Sequence, residues 1–129
     1  MAISVERTRE IMELYSQSHD PSYIAEDAVY TIMENGQESE GREAIAELLN
    51  FFYNQAFAAH AELANFFVAQ GKAVIEGWFV GTHKGEFAGI APTNKGVRAP
   101  ICIVYDVEDD GIKKARIYLP GLAQQLLGQ

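Results

Sequence analysis

The chain has one cysteine, Cys102, so it cannot form an intramolecular disulfide. That fits a reducing, cytoplasmic setting. Positive charge is scarce: 10 Lys plus Arg stand against 18 Asp plus Glu, a net charge of −8. Such a surface repels phosphate, so neither nucleic acid nor an anionic membrane is an expected partner. No apolar run approaches the ~20 residues of a membrane span. The opening Met-Ala-Ile-Ser-Val-Glu-Arg lacks the apolar centre of a secretion signal. There is no HxH or HExxH pattern, and His19 and His60 have no neighbour at ligand spacing. No metal site is expected, and no phosphate loop, nucleotide fingerprint or GxSxG is present either. Cys102 sits between Ile101 and Ile103 and reads as a buried, inert thiol. No linker, repeat or low-complexity tract divides the chain, so residues 1–129 read as one domain.

What is present suits a folded core: 48% of residues are hydrophobic and 22% charged, which excludes a disordered chain. Thr8, Ile11, Met12 and Tyr15 recur at helical spacing and predict a helix over residues 4–17. Asp20-Pro21 reads as a cap and first-turn proline of a short helix through Tyr23 and Ile24. Ala28 to Met33 reads as a strand, broken by Asn35-Gly36. Gly41 to Phe57 gives the strongest helix, with an apolar stripe of Ile45, Leu48, Leu49, Phe52 and Ala56. Long extended stretches follow at 60–69, 72–83, 97–107 and 112–119, turned by Gln70-Gly71 and Asp109-Asp110-Gly111. Residues 122–127 read as a closing helix.

Helices first and a meander afterwards indicate an α+β fold, with about three helices on a mainly antiparallel sheet. Aromatic residues on both strand faces call for strong curvature, so that the inner face encloses a pocket with the helices as its lid. The outer face then needs a cover, and a homodimer is the expected one.

The stretch from Gly81 to Val97 is the most informative. Gly81-Thr82-His83, Gly85, Phe87, Gly89 and Pro92-Thr93 match "GTHxGxFxGxxPTG". Asp110-Gly111, Ala115-Arg116-Ile117-Tyr118 and Leu126-Leu127-Gly128 follow in matching order. The pattern resembles the SnoaL-like polyketide cyclases, well over the last ninety or so residues and loosely over the first forty. The resemblance implies an NTF2-like cone, often dimeric, around a deep apolar pocket. It implies ring closure by intramolecular aldol condensation, using acid/base chemistry without metal or organic cofactor. Other members of the fold hydroxylate, isomerise or only bind ligands. Two positions depart from the pattern. Asn94 replaces the last glycine of "PTG". Pro120 stands where the family carries its acid/base aspartate, and proline transfers no proton.

The residues themselves offer other candidates. His83 is the best single acid/base candidate by residue type, since histidine is the side chain most used for proton transfer, unless it only bonds the loop backbone at a strand end. Arg116 and Tyr118 share a sheet face. If that face lines the pocket, Tyr118 completes an acid/base pair with His83 and Arg116 steers an oxygen. If it is the outer face, Arg116 is a solvated charge. Trp78 and Glu76 share a face as candidate substrate contacts. Glu76 is either inward and perturbed or outward and solvated. Tyr30 and Phe52 read as pocket lining or core. The expected ligand is a small apolar or polycyclic carbonyl compound. A binding module without catalysis and a dimerisation domain with a self-filled cavity are the alternatives.

Overall fold

A computed structural model describes residues 3–127, so Gly128 of the closing motif lies outside it. Helix α1 (Val5–Ser18) starts at Ser4, whose hydroxyl accepts the Arg7 N–H. The Thr8 hydroxyl donates back to the Ser4 carbonyl and accepts the Gly71 N–H at 3.1 Å, tying the helix start to a strand turn. Ile11, Met12 and Tyr15 are buried along with Thr8, as their spacing requires. The helix stops at His19, which takes a left-handed conformation (φ 53°).

Asp20 accepts the Ser22 N–H, but only a 3₁₀ turn follows (Pro21–Tyr23). Strand β1 (Ile24–Ile32) begins earlier than the sequence suggested, because Ile24 already pairs with Ile112. Asn35-Gly36 folds the chain into a short strand β2 (Gln37–Glu40), which the sequence did not reveal. Its Gln-Glu-Ser-Glu carries no apolar alternation. Helix α2 (Gly41–Asn50) continues as a π turn (Phe51–Gln55), closed by the Ala56 N–H on the Phe51 carbonyl at 2.7 Å. The expected helical end at Phe57 is instead the start of a strand.

Four strands complete the sheet: β3 (Phe57–Ala69), β4 (Lys72–His83), β5 (Gly96–Glu108) and β6 (Gly111–Tyr118). Helix α3 (Leu122–Leu126) closes the described chain. The order is β2-β1-β6-β5-β4-β3, antiparallel except for β1 beside β6. The fold is α+β, three helices on one curled, mostly antiparallel sheet. Strict alternation buries Val97, Ala99, Ile101, Ile103, Tyr105 and Val107 of β5 on the inner face. On β3 a bulge between Leu63 and Asn65 switches parity. Ala61 and Leu63 therefore face inward, whereas Phe67 faces out.

The curl is written into β4. A Cβ on Gly77 would lie 2.0 Å from the Glu62 carbonyl oxygen, and one on Gly81 2.5 Å from that of Ala58. Only glycine admits so close a backbone approach. We expect Gly77→Ala to cost about 3 kcal/mol through forced separation of β3 and β4. Urea unfolding followed by circular dichroism measures it, and an unchanged midpoint would show that the curl does not need this contact.

Candidate functional site

Helix α2 and its π turn lie across the sheet and face a cavity on each side. Ala46, Leu49 and Tyr53 face one cavity, while Glu47, Leu48 and Phe51 face the other. Both sets follow helical spacing.

The first cavity, of about 590 Å³, lies between the end of α1, α2 and the inner sheet face. Ile75, Ile103 and Ile117 form its apolar floor. Four tyrosines supply its polar groups. Tyr15 comes from α1, Tyr30 from β1, Tyr53 from the π turn and Tyr105 from β5. The buried Tyr30 hydroxyl donates to the Tyr15 oxygen at 2.9 Å. The Tyr15 proton is then left for a ligand. Tyr105 packs edge-on against Tyr15 and Tyr30, with centroids 6.2 and 6.4 Å away. Burial pushes all four phenols upward, Tyr30 and Tyr105 well above the ordinary value. They stay protonated donors at neutral pH. His19 sits at the mouth, 5.2 Å from the Tyr15 ring and 5.6 Å from Tyr53. Partial burial lowers its pKa, so the imidazole is neutral and able to accept a proton. Among the described residues no carboxylate, lysine or arginine lines this cavity. Among the described residues no three His, Cys, Asp or Glu side chains gather as a metal-binding group.

The sequence profile of the SnoaL-like polyketide cyclases matches residues 3–126. This chain belongs to the SnoaL-like polyketide cyclase family. No curated protein sequence matches it. Solved structures share the fold at low identity. One, from Jannaschia sp. CCS1, has the working name SnoaL-like polyketide cyclase; identity is 16%, coverage 93% of this chain and 90% of that one, TM-score 0.80. Another, from Catenulispora acidiphila, is a hypothetical protein with a ketosteroid isomerase-like fold, solved with trimethylamine; identity is 19%, coverage 86% and 85%, TM-score 0.68. A third, AclR from Streptomyces galilaeus, has the working description hydroxylase; identity is 14%, coverage 96% and 82%, TM-score 0.75. One fold thus carries several names, and the fold alone does not settle the chemistry.

The SnoaL-like motif residues do not converge on the tyrosine cavity. His83 is fully buried against Phe57, with ring centroids 5.3 Å apart. Its Nδ1 accepts the Thr93 N–H at 3.1 Å and lies 3.0 Å from the Thr93 hydroxyl. Its Nε2 is buried and has no hydrogen-bond partner among the described residues. His83 therefore pins the 84–95 loop, which is the structural alternative raised for it. Arg116 and Tyr118 lie on the outer face, because Ala115, Ile117 and Leu119 take the inward positions. Arg116 holds Asp106 with both terminal nitrogens, at 3.2 and 3.3 Å. Tyr118 is 40% exposed and stands opposite Cys102.

Trp78 and Glu76 are outward as well. The Arg98 guanidinium lies 4.7 Å from the Trp78 ring, and Glu76 accepts a hydrogen bond from Asn65 at 2.8 Å. Cys102 is only half-buried on that same face, between Glu76 and Tyr118, rather than in the core. Burial and the Glu76 charge raise its pKa, which keeps it a thiol. Of the candidates, Tyr30 enters the tyrosine cavity and Phe52 the second one. The sequence reading missed Tyr15, Tyr53, Tyr105 and His19. Tyr15 falls on the apolar stripe of α1 and Tyr105 on the inner parity of β5, and both read as plain core.

Each buried phenol holds its proton more tightly in the folded than in the unfolded chain. Stability is therefore full below pH ~10, the unfolded phenol value, and falls as pH rises above it. Urea titrations at pH 8 and at alkaline pH should show that loss. Tyr30→Phe should shrink it; an equal loss in the variant would place the effect elsewhere.

Proposed function

We propose that the tyrosine cavity binds a small, mainly apolar carbonyl compound and moves a proton beside its carbonyl. The observation that carries this reading is the Tyr30–Tyr15 hydroxyl relay beside a neutral His19 imidazole, in a half-enclosed space that no described carboxylate, lysine or arginine lines. A carbonyl oxygen accepts the Tyr15 proton in a hydrogen bond, strengthened by the bond Tyr15 itself receives. The His19 imidazole removes a proton from the adjacent carbon, and the charge arriving on oxygen is stabilised by the phenols. Returning the proton to another carbon is isomerisation. Attack of the enolate carbon on a second carbonyl closes a ring, the aldol step expected of a cyclase. Both courses are balanced by His19 giving back the proton it took.

Exchange of the α-hydrogens of 2-tetralone in deuterium oxide, followed by NMR, tests the chemistry. His19→Ala should slow catalysed exchange ~10²-fold, and Tyr15→Phe by a similar factor. Catalysed exchange should decline on the acid side below pH ~6.5, where depressed His19 takes up its proton. Full exchange in both variants would remove these residues from the site. The absence of any carboxylate among the described residues of the lining favours a second reading, a carrier without turnover. It predicts saturable 2-tetralone binding with no catalysed exchange by the parent chain.

The outer face supports a homodimer. Phe67 is 60% exposed and Trp78 37%, and Tyr118 and Pro100 are exposed on the same outer face, with polar groups such as Glu76 and Arg98 between and beside them. We expect a dimer by light scattering at micromolar concentration and a monomer after Phe67→Glu. A monomeric parent chain would remove this face as an interface.

A further inference from the structure

The second cavity, of about 760 Å³, lies across α2 and takes no part in the proton transfer above. The β1–β2 turn, the pocket-facing side of α2, the 84–95 loop and the chain around α3 enclose it. Its apolar wall is aromatic. The centroid of Phe52 lies 5.5 Å from that of Phe51 and 5.7 Å from that of Phe87, and Phe51 and Phe87 are 6.4 Å apart. Leu48 and Leu122 extend the wall.

This wall is built in advance. Phe87 and Ile90 exchange two backbone hydrogen bonds, at 3.0 and 2.8 Å. The N–H groups of Lys84 and Gly85 both donate to the Ala56 carbonyl at the end of the π turn. His83 holds the far end of the loop through Thr93, and Asn94 returns to the His83 carbonyl at 3.0 Å. The Gly-Thr-His and Gly-x-Phe residues thus set one ring against two others at the edge of a cavity.

The charge of this cavity has one sign. Glu34 and Glu47 line it, with no lysine, arginine or histidine among the described residues. Neither carboxylate belongs to an ion pair among the described residues. Glu34 accepts the Leu119 N–H on both oxygens, at 2.9 and 3.1 Å, which holds it at the rim while leaving its charge unmatched. Ring faces carry negative potential and attract cations, organic ammonium ions above all. Two unpaired carboxylates beside three such rings complement a ligand that is both apolar and positive. The net charge of −8 favours its approach.

We propose that this second cavity is a binding site for an amphipathic organic ammonium ion. Its ring or alkyl part lies on Phe51, Phe52 and Phe87, and its cationic end turns to Glu34 and Glu47. Benzyltrimethylammonium is the probe, with phenylacetate as its anionic counterpart. Titration of the full chain followed by two-dimensional NMR should show saturable shifts at Phe87 and Phe51. Phenylacetate should give none there. Glu47 is exposed on α2, so Glu47→Gln keeps the fold, as circular dichroism verifies, and should weaken probe binding about threefold or more. Added salt should weaken binding to the parent chain and affect Glu47→Gln less. Phe87→Ala should weaken binding in both salt conditions. No saturable binding, equal binding of phenylacetate, or unchanged affinity in Glu47→Gln would overturn the proposal. So would shifts confined to Tyr15 and Tyr30, which report the tyrosine cavity and thereby separate this site from the proton-transfer site.

Discussion

At Gly77 and Gly81 the backbone of β3 comes so near β4 that no side chain fits between them. Much else depends on this contact. A sheet closed that tightly on one side cannot lie flat, and the inward residues of β3, β4 and β5 turn toward a common axis. The space under the curl is too wide for the sheet's own side chains to fill. The sequence supplies α2 to cross it, with Ile45 fully buried as its anchor. Apolar burial then holds the helix in place, while the remaining volume is left on its two sides as cavities.

The two cavities differ in how they handle charge. Around Tyr15, Tyr30 and Tyr105, burial keeps every phenol protonated, and among the described residues no carboxylate, lysine or arginine lines the cavity beside the hydroxyl relay. Donors in such a place are already oriented, and no water has to reorganise when charge develops opposite them. Around Phe51, Phe52 and Phe87 the polar groups include carboxylates at the rim, and the floor is hydrocarbon. One space is suited to charge that appears during a reaction, the other to charge that arrives with a ligand.

The fold was legible because its signals are local. Apolar spacing at Thr8, Ile11, Met12 and Tyr15, the Asp110-Gly111 turn and the alternation of β5 each act within a few residues. β2 was hidden because its four residues are held by pairing with β1 and not by an apolar face. The early end of α2 was hidden because a π turn carries the same residues as an α turn; only the hydrogen bond from Ala56 to Phe51 distinguishes them. The site was less legible than the fold. A histidine in a glycine-rich motif invites a catalytic reading, yet what decides His83 is the fixed Thr93 N–H against its ring. Tyr15 and Tyr105 are ninety residues apart in sequence and meet only through the curl. The face of Arg116 and Tyr118 was undecidable from alternation alone, which gives two faces without saying which is inside.

The divided allegiance of α2 has a consequence for how such a protein diversifies. Positions 46, 49 and 53 shape one chamber, and positions 47, 48 and 51 the other, although all belong to one continuous rod. Random exchange along that rod therefore tends to alter one chamber at a time. A lineage can try out new occupants in either chamber while its neighbour keeps its old shape. The helix behaves as a partition between two mutational neighbourhoods, each able to change shape on its own.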